Sequence, residues 1–236
     1  MDALRTALQK LRTDPHAPKA FPAPVLEAAE AAAHAPHLPD KDATHLPLFT
    51  IDLPTSKDLD QAMSLERRSG GGFRVYYAIA DVAAFVAADG ALDTEAHKRI
   101  VTLYFPDGKV PLHPPALSEG AASLLPDQTV PALLWQHDLD AHGEVTTSHV
   151  GRGLVRSRAK LDYAGVQHAI DSGTAEEPVA LLRDATSARS ARPLRPRGEA
   201  FRSPSRSRRS RSRTDRSGSA TGRRWPWTAG TSRSPS

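Results

Sequence analysis

An α+β fold, with a mixed sheet and flanking helices, is predicted by three features of the sequence. Strand-favouring runs follow short glycine turns, as "FRVYYAIADV" follows "SGGG". Segments with apolar residues at helical spacing separate those runs. The two kinds of segment lack the regular strand–helix–strand order of a parallel α/β sheet.

Residues 1–45 read as a loose helical segment. "ALRTALQKLR" has helical spacing, and "VLEAAEAAAHA" is rich in the good helix formers Ala and Glu. His16, His34, His37 and His45 are scattered among prolines without a paired spacing on one helix face, so they read as linker histidines rather than metal ligands. From residue 46 the character changes. "LPLFTID" reads as a strand, an acidic loop follows, and "QAMSLERR" and "FRVYYAIADV" form a hairpin across the turn Ser69 to Gly72. "GALDTEAHKRIVTLYF" reads as one helix, with Asp93 as its N-cap and Tyr104 at its C-terminal end. "LSEGAASLL" suggests a short helix, "PALLWQHDLD" a strand, "AHG" a turn, and "EVTTSHVGRGLVRSRAKL" a long returning strand. "DYAGVQHAI" and "EEPVALLRD" close a domain of residues 46–183 with helical pattern. Residues 184–236 are Arg/Ser-rich with hardly an apolar residue to bury, and are expected to be disordered.

The net charge conceals this division. Residues 184–236 hold 14 arginines and three acids, leaving 17 basic and 24 acidic residues in 1–183, a net of −7 there against +4 for the chain. The absence of cysteine excludes disulfides and thiolate metal sites and fits a reducing cytoplasm. No apolar run approaches the roughly 20 residues of a membrane helix. "MDALRTALQKLR" lacks the continuous apolar core of a signal peptide, so a cytoplasmic location is expected.

Chemistry concentrates in "FTIDLPTSKDLDQAM", where Asp52, Asp58 and Asp60 crowd the end of a strand. Clustered carboxylates need protonation, a basic partner or a cation. Hard divalent cations, above all Mg²⁺, take oxygen ligands of this kind. The spacing is not that of a calcium loop. The alternative is an Asx-rich turn with Lys57 as local counter-charge. If the segment is extended, Asp58 and Asp60 lie on one side, and a strand end plus a turning loop could aim three carboxylates at one point. Such a cluster suits metal-assisted phosphodiester hydrolysis.

With those residues in view, four ordered motifs between about Leu46 and Gln167 are similar to the RNB catalytic domain of the ribonuclease II family: "TIDLPTSKDLDQAM", "YAIADVAAFV", "LYFPDGKVPLHPPALSEGAASLLP" and "VRSRAKLDYAGV". The resemblance implies a processive Mg²⁺-dependent 3′→5′ exoribonuclease, with Mn²⁺ as a substitute ion, acting on single-stranded RNA as a monomer. It implies that Asp52, Asp58 and Asp60 hold the metal, with Asp60 most closely tied to catalysis. It also implies that Tyr104 stacks on the 3′-terminal base, although by spacing alone Tyr104 reads as a core aromatic at a helix end. Where many members end this motif in four aspartates the chain has Gln61, which offers no charge and puts a two-metal arrangement in doubt. Ala122 stands where a cysteine is common.

The chain then reads as the N-terminal part of such a domain, since the family's second half supplies basic residues and channel walls. The arginine-rich tail invites reading as an RNA-binding arm. Read one frame over, however, Trp225 forces an alanine codon and Trp227 an aspartate codon, and the frame can read "AVDGWN", which resembles the family's continuation. We read the tail as the product of a frameshift near Arg183 and Asp184, with the evolved arm as the alternative. The non-catalytic alternative for the chain is an RNA-binding protein using its aromatic platform and tail.

Overall fold

The computed structural model describes residues 20–105 and 108–190, together with Thr6. Most of the predicted N-terminal helix, and the tail after residue 190, lie outside the described residues.

Five strands close into a barrel in the order β1 (Leu48–Ile51), β2 (Gln61–Arg67), β3 (Phe73–Ala80), β6 (Thr129–Leu139) and β7 (Val145–Leu161). Two antiparallel hairpins build most of it. In the first, Gln61 pairs with Ile79 and Arg67 with Phe73. Gly71 and Gly72 turn it, with φ of 82° and 79°, where an L side chain is strained. A Cβ at Gly72 would run into the Leu139 carbonyl, so the turn demands glycine there. The second hairpin pairs Thr129 with Arg156 through to Leu139 with Val145, around the predicted "AHG" turn. Closure comes from β1, antiparallel to β2 at Phe49 and Met63 but parallel to β7, where Leu48 meets Ser157 and Ile51 meets Leu161. The sequence predicts the strands but not their closure.

Small residues alternate with larger ones along the buried faces. Ala62, Ala78 and Leu134 share one cross-strand row, and they pack with Leu48, Leu59, Val130 and Val155. Alanines in such a row let a five-stranded barrel fill without voids. A second cluster lies where α1 (Ala23–His34) meets α2 (Ala91–Arg99), through Val25, Ala29, Phe85, Leu92 and Leu117. A third, Phe49, Leu65, Phe73 and Leu181, is covered by α4 (Leu181–Ser190). α3 (Tyr163–Ser172) follows β7 directly, capped by Asp162, whose carboxylate accepts from the Gly165 N–H at 2.9 Å.

Several expectations change. The helix predicted over residues 90–105 stops at Arg99, and β4 (Leu103–Phe105) pairs with β5 (Gly108–Val110) as a ribbon. Tyr104 therefore sits on a strand, not at a helix end. Ile100 makes the break: its φ of 69° and ψ of −45° close a γ-turn in which the Val101 N–H donates to the Arg99 carbonyl at 2.8 Å. The N-cap is Gly90 rather than Asp93, whose carboxylate accepts from the Asp89 N–H at 2.9 Å instead. At the other boundary, α4 runs through Asp184, where the disordered tail was expected to begin. Asp184 accepts a hydrogen bond from Arg67 at 2.5 Å.

Candidate active site

Asp52 stands one residue beyond β1, and Asp58 and Asp60 precede β2. The loop between them is pinned by several distant segments. The Asp52 N–H donates to the Leu161 carbonyl on β7 at 3.0 Å, and the Ala80 N–H donates to the Asp60 carbonyl at 2.9 Å. Lys160, also on β7, donates through Nζ to the carbonyls of Pro54 at 2.7 Å and Ser56 at 2.5 Å. Ser123 is buried and bridges the loop. Its Oγ donates to the Lys57 carbonyl at 2.6 Å and accepts from the Leu59 N–H at 2.9 Å. Leu59 itself is buried in the barrel cluster, so the leucine of D-L-D is the anchor and its flanking carboxylates are presented outward.

Asp52, Asp58, Asp60 and Tyr104 all line one cavity of about 390 Å³. Tyr104 is 73 % exposed, a poor candidate for the core and an available surface for stacking. Much of the remaining wall is apolar, from Val82, Leu112, Leu117 and Ala122, with Ser56, Thr102, His113 and Ser118 as polar exceptions. Burial lowers the pKa of His113, which keeps its imidazole neutral near pH 7.

The three aspartates are not equivalent. The Oδ1 of Asp52 accepts from the Leu53 N–H at 2.6 Å and from the Ser56 hydroxyl at 2.8 Å, a local turn of the kind expected of an Asx residue. Partial burial pushes Asp58 up, but the Lys109 ammonium at 2.9 Å outweighs it and leaves its pKa lowered. Asp60 is raised, by partial burial first and by the charges of Asp52 and Asp58 besides. The counter-charge expected from Lys57 comes instead from Lys109, and Lys57 takes part in no ion pair among the described residues. Gln61, at the position of the missing fourth acid, accepts from the Tyr77 hydroxyl and does not line the cavity.

The donor set suits a hard divalent cation, being all carboxylate oxygen with one member, Asp60, in a field that a cation would relieve. Among the described residues no group of three or more acidic, His or Cys side chains is close enough to hold a metal ion as they stand. The residues singled out in the sequence, the three aspartates and Tyr104, line this one cavity, whereas Lys109, Ser123 and Lys160, which contact the loop, were not singled out. For Lys109 a signal existed: pairing "LYF" with "GKV" as a ribbon sets Lys109 opposite Tyr104, as it is here.

A model of the RNB domain matches residues 40–217, running past Asp184. Two proteins of Arabidopsis thaliana, DIS3-like exonuclease 2 and inactive exonuclease DIS3L2, are each 43% identical to the chain over 133 residues. The match takes in 56% of this chain and 12% of each relative, so the chain spans a small part of their length. Mycoplasma genitalium RNase R in complex with double-stranded RNA superposes with a TM-score of 0.65 at 24% identity, over 77% of this chain and 33% of that one. At that identity the likeness is one of fold. Since the domain match takes in well over half of the 236 residues, the chain belongs to the RNB domain family.

Proposed function

We propose that this chain carries the acidic half of an exoribonuclease site that degrades single-stranded RNA from its 3′ end and releases nucleoside 5′-monophosphates. One observation carries the reading: three aspartates from one loop and a tyrosine more than forty residues further on line the same cavity. RNA is the substrate class on two grounds, the family and the RNA held by the RNase R that shares the fold. Asp52, Asp58 and Asp60 would hold Mg²⁺, for which Mn²⁺ can substitute. The cation, when bound, makes a water nucleophilic and steadies the oxygen that leaves. Tyr104 offers an open aromatic face to the terminal base, which suits a sequence-tolerant enzyme because every base has a π-face. The loop pinned by Ser123 and Lys160 keeps the carboxylates in place, and positioning of this kind accounts for much of a phosphoryl-transfer rate. Gln61, turned toward Tyr77, adds no charge to the site, which favours a single cation. We place the protein in the cytoplasm as a monomer.

On the frameshift reading of residues 184–236, those residues are not the family's own, and the 236-residue chain is then expected to hydrolyse RNA negligibly. End-labelled RNA followed on a gel tests this. A chain with the frame restored after Arg183 should shorten single strands from the 3′ end only with Mg²⁺. In it, Asp60→Asn should reduce cleavage about 10²- to 10³-fold while sparing RNA binding, the scale of losing a transition-state contact. Tyr104→Ala should mainly weaken the hold on the last nucleotides. An inactive restored chain that still binds RNA would favour the second reading, a non-catalytic RNA-binding protein. The equal identity to a relative named inactive gives that reading its support.

A further inference from the structure

Lys109 has two anionic partners at the same distance. Its Nζ lies 2.9 Å from Oδ2 of Asp58 and 2.9 Å from Oε1 of Glu119. Only one of these carboxylates belongs to the cavity, since Asp58 lines it and Glu119 does not. All three side chains are between a quarter and a third exposed, so water can cover whichever group is released as the ammonium shifts. Lys109 also stands directly across the β4–β5 ribbon from Tyr104, on the same face. Whatever holds Lys109 therefore holds the ribbon that carries the stacking residue.

We propose that Lys109 is an exchangeable counter-ion: a divalent cation entering the aspartate cluster displaces its ammonium from Asp58, and Glu119 takes it over. This rests on the reading of the aspartates as metal ligands and adds a role for two residues outside that set. The electrostatics favour the exchange in one direction. A dication satisfies Asp52, Asp58 and Asp60 together, whereas the ammonium neutralises Asp58 alone. Glu119 removes the main obstacle, which would be a half-buried ammonium left without a partner. The ribbon stays tethered through Glu119 in either state. Lys109 and Glu119 are positioning residues here, acting on the cation and on Tyr104 through Asp58 and the ribbon.

The two roles predict opposite changes in cation affinity, which a merely structural ion pair would not give. Mn²⁺ binding to the full chain is measured by titration calorimetry, with circular dichroism to confirm that each variant is folded. Lys109→Met removes the competitor and should tighten Mn²⁺ by about two- to fivefold, the range of a partly exposed ion pair. Glu119→Gln leaves Asp58 as the only partner of Lys109 and should weaken Mn²⁺ by a similar factor. The double variant should bind like Lys109→Met alone, because Glu119 acts only through Lys109. Should Lys109→Met fail to fold, Glu119→Gln alone decides the matter: unchanged or tighter binding overturns the proposal. Wild-type binding that Asp60→Asn weakens, but that neither single variant shifts, sinks the exchange and leaves the metal site standing. No wild-type binding, or binding indifferent to Asp60→Asn, removes the metal reading and the exchange with it.

Discussion

At Asp60, partial burial and the charges of Asp52 and Asp58 favour the protonated carboxyl, so its folded-state pKa lies above the ordinary 3.8. A carboxylate raised on folding contributes stability that is fully present below the ordinary value and is lost as pH rises through the raised one. The wild type should therefore lose stability relative to Asp60→Asn as pH climbs from below 3.8 toward neutrality. The gap should be about 0.2–1 kcal/mol, because the carboxyl reaches solvent. Melting both proteins at pH 3.5 and pH 7 checks this, and a gap that fails to open at pH 7 would mean that neither burial nor the neighbouring charges raise Asp60 on folding. The residues of this cluster are legible in sequence because carboxylates at close spacing carry their chemistry in their type. Ser123 and Lys160 are not. A lone serine or lysine has no local pattern, and each acquires its role from a contact reaching 64 and 106 residues along the chain.

Element boundaries follow backbone events that composition only half records. The β2–β3 hairpin is readable because consecutive glycines announce a turn at positive φ. The end of α2 is not, because the break falls on Ile100, a β-branched residue that a pattern reader assigns to either neighbour. Arg99 fixes the break from inside. Its guanidinium is buried, lies 3.7 Å over the Phe21 ring, and donates to Glu95 at 2.9 Å and to the Pro111 carbonyl at 3.3 Å. With Arg99 held, the chain must turn at once to reach the ribbon, and Ile100 takes a conformation that costs a non-glycine residue about 1–3 kcal/mol. Its side chain is 79 % exposed, so little packing would be lost by truncating it. Ile100→Gly should therefore stabilise the fold by about 1 kcal/mol, after the extra unfolded-state freedom of glycine is subtracted. Urea unfolding measures it, and a destabilised variant would mean that the turn is not strained.

For the chain from residue 20 to 190, closure of the barrel is the feature the sequence hides. Parallel pairing of β1 with β7 leaves no local signal, since the two strands are joined by the whole of the intervening domain. The docking of α4 is similarly hidden. "EEPVALLRD" is legible as helical, but only the structure shows Leu181, 1 % exposed, seated against Phe49, Leu65 and Phe73. Leu181→Ala should cost about 2–4 kcal/mol by leaving a cavity over that cluster. A thermal melt reads the loss, and a change under about 1 kcal/mol would mean that α4 does not close the core. The pairing of β1 with β7 also sets a clock. A growing chain contains all three aspartates by residue 60 and the tyrosine by residue 104, yet the Asp52 amide and the loop carbonyls of Pro54 and Ser56 wait for Lys160 and Leu161. Joining such distant segments is the slow step of folding a high-contact-order domain. The first chemically interesting residues to be synthesised are thus the last to be set in place, and during translation the nascent chain carries its acidic loop unassembled until β7 arrives.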